Sequence, residues 1–253
     1  MTTRPAYLDY TADDEFAEGY RRYQERYARE PRESDRITME IVRRELVRMG
    51  RADAGDVLDA GCSTGNLLRH MVRHVPGARL VGGDLMEGHL QQAAADPELG
   101  AVEFRRLDLA DLALDRAFDV IVANAVIYLF DDDTLADALA GIGRALRPGG
   151  ALVAFDFVHP FRQELAIHET SETHPEGLTL HMRSRPTLDA ALSAAGLGDT
   201  EVHPFRIGID LPVPPDPRDI VTRTVATREG DRLLLRGALL QPWAHIVARR
   251  GGR

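Results

Sequence analysis

Two carboxylates and the glycine turn between them are the residues whose types and spacing point to chemistry. Asp59 closes the short apolar run Val57-Leu58 and stands at the lip of the turn Gly61-Cys62-Ser63-Thr64-Gly65. Such a turn lets a ligand approach bare backbone and the positive end of the helix that follows. A carboxylate there repels a pyrophosphate and favours a ligand carrying positive charge. That argues against a dinucleotide and for a cationic nucleoside. Asp84 follows about 20 residues beyond the turn, the spacing at which a carboxylate takes both hydroxyls of a ribose. The bland alternative for Asp84 is an ordinary turn residue.

The elements that must hold these groups are legible from periodicity. Leu67, Leu68, Met71, Val72 and Val75 fall at helical spacing after the turn, so residues 57–75 read as strand, tight loop, helix. Strands are expected at 79–84, 102–107, 118–123 and 151–157, with helices at 86–95 and 134–146, the latter stopped by Arg147-Pro148-Gly149-Gly150. This alternation is the signature of a parallel sheet covered on both faces. Asn124 ends the fourth strand, on the edge where open α/β sheets hold ligands. Residues 159–185 read as a long, polar, histidine-bearing connection, a kind of loop that tends to be functional. A helix at 188–195, a strand at 201–209, a proline-rich passage, a hairpin from 221–227 and 232–236, and a closing strand at 243–248 complete the chain. Residues up to 50 read as helical. Phe16, Tyr20, Tyr23 and Tyr27 form an aromatic stripe that is either a face packed on the core or a lid over the ligand, and Ser34 is the expected N-cap of a second helix.

Composition narrows the function classes. A chain of 253 residues, 44% hydrophobic, can bury a full core. A net charge of -9 argues against nucleic acid as a partner, because neutralising phosphates needs a basic face. There is no lysine, which excludes a Schiff-base lysine and the lysines of P-loops and protein kinases. The single cysteine, Cys62, permits no internal disulfide, the N-terminus lacks the apolar core of a signal peptide, and no run approaches membrane-spanning length. A soluble, cytoplasmic protein with no membrane partner is expected.

With these observations in place, the sequence resembles the class I S-adenosylmethionine (SAM)-dependent methyltransferases. The resemblance is carried in order by VLDAGCSTG, VGGDL, RRLDL, FDVIVANAVIYLF and LRPGGALVAFDF. It implies a Rossmann-like α/β fold: a mostly parallel seven-stranded sheet with helices on both faces, here with an N-terminal helical lid and a C-terminal β-hairpin insertion. The implied organisation is a lid over 1–50, a SAM-binding core over 51–158, and a pocket-building remainder over 159–253. The cofactor is SAM, leaving as S-adenosylhomocysteine (SAH). Asp59, Gly61, Ser63 and Gly65 match the loop around the methionine part, and Asp84 the acid on the ribose. Leu85 matches an apolar neighbour of adenine, Asp108, with Leu109 beside it, the carboxylate facing the adenine amine, and Asn124 the end-of-strand residue beside the methionine. Ser63 stands where the family usually has glycine.

The implied reaction moves a methyl group to an oxygen or nitrogen of a small metabolite or natural-product intermediate, by in-line displacement and with no metal. His159 is the first candidate for a general base because it follows the fifth strand at the ligand edge, and Tyr20 is a second catalytic candidate. Tyr23, Tyr128 and His181 are candidates for the acceptor pocket, with His168 and His174 in the same connection as His181. A different class keeps the fold as a SAM-binding regulator, or uses SAM for other chemistry. Gly61-Cys62-Ser63-Thr64-Gly65 also matches the GxSxG nucleophile elbow of α/β-hydrolases, but it ends the first strand of the sheet and no oxyanion segment accompanies it. His70 and His74 lack the glutamate of a zinc protease and read as a solvated face; Cys62 reads as packing.

Overall fold

Strand β1 (Asp56–Ala60) is buried from its second residue on, as its apolar run requires of a strand covered on both faces. It pairs in parallel with β2 (Arg79–Asp84) on one side and β4 (Phe118–Asn124) on the other, with Val57 opposite Leu80 and Val120. The computed structural model describes residues 22, 24, 26–170, 177–208, 216, 222–226, 230–236 and 241–252. Phe16, Tyr20, Tyr23, His174 and most of the proline-rich passage lie outside them, so of the aromatic stripe Tyr27 alone is described.

With β3 (Glu103–Arg106), β5 (Leu146–His159), β8 (Leu197–Pro204) and β11 (Trp243–Arg250), the main sheet runs β3-β2-β1-β4-β5-β11-β8. The first five strands are parallel, and β11 is antiparallel to both of its neighbours. This is the expected mostly parallel seven-stranded arrangement, and its order reverses between β1 and β4, the crevice where such sheets bind ligands. Alternate residues along each strand feed two cores. Val57, Val120, Val122 and Val153 pack under α1 (Glu33–Arg48), α2 (Asn66–His74) and α3 (Glu87–Ala94). Leu58, Ile121, Leu152 and Ile246 pack under α4 (Asp132–Ala145) and α5 (Arg185–Ala194).

Several expectations are corrected. The connection after the fifth strand contains β6 (Leu165–Glu169) and β7 (Leu178–Ser184), antiparallel to each other, and β7 docks on the end of β5 through Val158↔Arg183 and His159↔Ser184. The sheet therefore has nine strands; β6 is short and has no fully buried residue. The Arg-Pro-Gly-Gly stop lies within β5: Leu146 pairs with Phe118, the register shifts, and pairing resumes at Ala151↔Val120. The strand expected at 201–209 begins earlier, at Leu197. Helix α1 is capped from Arg32, not Ser34, because Asp35 reaches back to accept from the Arg32 backbone N–H at 3.3 Å. The hairpin is present as β9 (Thr222–Ala226) and β10 (Arg232–Arg236), a two-stranded sheet of its own.

Candidate active site

The loop after β1 bends because three of its residues take left-handed backbone: Gly61 (φ 83°), Ser63 (φ 49°) and Gly65 (φ 81°). A Cβ on Gly61 would lie 2.5 Å from Val126 Cγ2, and one on Gly65 2.7 Å from Leu99 Cδ1, so a side chain at either would also crowd a neighbour. Ser63 occupies the family's usual glycine position and still adopts the left-handed form, with its N–H donating to Asp84 Oδ2 at 2.8 Å. The other oxygen, Oδ1, accepts from Met86 N–H at 2.9 Å. Two backbone donors thus fix the Asp84 carboxylate and leave lone pairs on both oxygens.

Asp84, Leu85, Asp108 and Leu109 line a cavity of about 150 Å³ together with Gly61 and Ser63. Asp108 is oriented by accepting from Ala110 N–H at 2.9 Å, which caps a short turn over Leu109–Asp111. A second cavity, of about 410 Å³, takes in Asp59, Asn124, Tyr128 and the N-terminal residues Gln24, Arg32 and Ser34. Gly61, Ser63, Ala125 and Leu129 line both, so the two meet at the glycine loop. Of the residues expected around the nucleoside and methionine parts, Gly65 alone lines neither; it shapes the loop from behind.

Asp59 is 2% exposed and its Oδ1 has no hydrogen-bond partner. Burial, with the charges of Asp35 and Asp84 adding to it, pushes its carboxyl up to about 7. A buried acceptor without a donor is costly unless a ligand supplies one. The ammonium and sulfonium of SAM supply positive charge of the sort this oxygen lacks, so the residues present fit that group. Asn124 points its amide at Asp35 Oδ1, 3.2 Å away, tying α1 to the end of β4.

The histidines stand elsewhere. His159 is buried, with Nε2 3.3 Å from Met182 O and Nδ1 unpartnered, packed between β5 and β7; it lines neither cavity, so the position expected of a general base beside donor and acceptor is not the one it takes. His181 is half-buried on β7 and also lines neither; burial lowers its pKa, and Arg183 adds to that. His168 is exposed and bonds Thr179. His74 is exposed, but His70 is not on a solvated face: it is buried with Nε2 2.9 Å from Tyr27 O. Burial drives the Cys62 thiol well above its usual range, which leaves it inert packing. The Ser63 hydroxyl has no hydrogen-bonded base, which removes the hydrolase elbow reading.

Sequence reasoning missed Phe155, Phe205 and Trp243, which line the larger cavity, and His245 behind them, whose Nε2 lies 3.1 Å from Ser34 O. Only the antiparallel register Trp243↔Phe157 brings the start of β11 to the ligand edge.

Residues 57–150 match the methyltransferase domain family. Those residues carry a methyltransferase domain. The domain is similar over 118 residues, at 30% identity, to a malonyl-[acyl-carrier protein] O-methyltransferase of Acetivibrio thermocellus, covering 47% of this chain and 40% of that protein. It is similar over 160 residues, at 28% identity, to a trans-aconitate 2-methyltransferase of Methylobacterium nodulans, covering 63% and 56%. The chain thus spans about half the length of these curated relatives. The methyltransferase fold is shared with the Burkholderia thailandensis 1,6-didemethyltoxoflavin-N1-methyltransferase, solved with its substrate and SAH, at 17% identity and a TM-score of 0.58, covering 99% of this chain and 92% of that one. Among the described residues, no helix is long and apolar enough to cross a membrane.

Proposed function

We propose that this protein transfers a methyl group from SAM to an oxygen or nitrogen of a small-molecule acceptor. The observation that carries the reading is the unpartnered Asp59 oxygen in the larger cavity, beside a glycine loop that borders both cavities and whose neighbour Asp84 is held ready by two backbone donors. SAM would supply an electrophilic methyl group, its sulfur keeping the electron pair of the broken sulfur–carbon bond, and the acceptor would give up its proton, which reaches solvent as the product leaves.

The chain's own work is alignment and exclusion of water. Asp84 would take the ribose hydroxyls, Asp108 the adenine amine between Leu85 and Leu109, and Asp59 with Asn124 the amino-acid end. Tyr128, which lines the larger cavity, would help shape the acceptor side. The relatives named above act on a carrier-bound malonyl group and on trans-aconitate, which supports small acceptors as a class without naming one. The larger cavity continues past Asp59 and Asn124 to Tyr128, Phe155 and Trp243, and that added room favours transfer over a purely regulatory use of SAM.

The test is calorimetric titration of SAM and SAH into the wild type and Asp84→Ala. Losing charged hydrogen bonds to the ribose should weaken binding by about 2 to 3 kcal/mol, roughly 30- to 150-fold. Equal affinity in both proteins would remove Asp84 from the site, and no binding to the wild type would remove the methyltransferase reading.

A further inference from the structure

Resting on the methyltransferase reading, we propose that the acceptor is a neutral, planar aromatic molecule held by stacking against a preformed wall of rings. The larger cavity has two unlike halves. Its polar groups come from the glycine loop, the start of α2 and the chain leading into α1, where Arg32 and Asp59 are the only charged residues among the described lining. Arg32 is already engaged, with Nε 2.9 Å from Asp35. The opposite half comes from β5, β11, the turn after β4 and the end of β8, and it presents Phe155, Trp243, Tyr128 and Phe205.

These rings are fixed before any ligand arrives. Trp243 stacks on Phe155 at 4.6 Å and 10°, leans on Phe157 at 4.2 Å, and meets Tyr128 edge-on at 5.6 Å and 87°. Phe205 stands edge-on to Phe155 at 5.3 Å and 85°. Each ring is held by others, so little side-chain entropy remains to be lost on binding. Such surfaces favour a flat π-system through offset stacking and edge contacts that a flexible alkyl chain cannot make. A di- or tricarboxylate finds no cation among the described residues of this half, and desolvating its charges against these rings is costly.

Trp243 is the only tryptophan in the chain, so its emission reports on this wall alone. The experiment titrates 4-hydroxyquinoline, 2-naphthol, trans-aconitate and 1-octanol into the SAH-saturated protein by calorimetry, with acrylamide quenching of Trp243 as the local readout. Both aromatic probes should bind at least about tenfold more tightly than the other two, and should shield Trp243 from acrylamide. Trp243→Leu and the edge variant Phe205→Leu should each weaken them about fivefold or more while SAH affinity stays within about twofold. Trans-aconitate or 1-octanol binding as tightly as the aromatics, or aromatic affinity unchanged in both variants, would overturn the proposal. If SAH itself fails to bind, the methyl-donor reading falls, and the same four titrations on the free protein still decide the acceptor class.

Discussion

Asp59 couples the site to pH. Its carboxyl sits at about 7 because burial disfavours the charge, and only the ionised form attracts an ammonium. Affinity for SAH should therefore climb about tenfold per pH unit as pH rises toward 7 and flatten above it, each binding event releasing a proton. Calorimetry from about pH 5.5 to 7.5 in buffers of different ionisation enthalpy checks this; the proton release and the slope should vanish in Asp59→Asn, while a slope retained there would place the titrating group elsewhere. The sign for folding is opposite. An acid whose pKa is raised on folding costs stability as pH climbs from the unfolded value toward 7, so Asp59→Asn should stabilise the free protein at neutral pH.

At the scale of elements, helix α1 is bound to the antiparallel end of the sheet by one buried carboxylate. Glu45 accepts from Arg249 of β11 at 2.7 and 2.9 Å and from Arg48 at 2.7 Å, while Arg249 also reaches Glu201 of β8. Burial alone would raise the Glu45 carboxyl, but the two guanidinium groups bring it down to about 2. Its contribution is thus present above the usual carboxylate range and lost as pH falls toward 2. Glu45→Gln keeps the volume but leaves Arg249 underpaired, at a cost of about 3 kcal/mol, or roughly 6–12 °C in unfolding midpoint. Differential scanning calorimetry checks it. SAH affinity should be unchanged, because Glu45 lines neither cavity.

For the molecule as a whole, two populations of acids pull stability in opposite directions with pH. Asp56, Asp96 and Glu201, like Glu45, are held below their usual values by arginine partners that outweigh any desolvation. Asp59 and Asp156 are pushed up to about 7 by burial. The first group loses its contribution as pH falls below about 4, and the second erodes stability between about pH 4 and 7. The unfolding midpoint should therefore pass through a broad maximum on the weakly acidic side and drop steeply below about pH 4. A midpoint that rises monotonically from pH 4 to 8 would show that the buried acids find compensation elsewhere.

What the sequence by itself determined was local. Short apolar runs and the glycine turn placed β1, β2, β4 and the loop that Asp59 and Asp84 flank, because buried strands and left-handed turns are written in neighbouring residues. The helix caps, the β6–β7 pair and the bulge in β5 were less legible, since each depends on side chains or strands that are not adjacent in the chain. Only the tertiary structure decided the aromatic half of the larger cavity. Trp243 and Phe205 reach it because β11 runs antiparallel against β5 and β8, and His159 leaves it because β7 docks on the end of β5. Both outcomes are matters of long-range register, which no local pattern in the chain encodes.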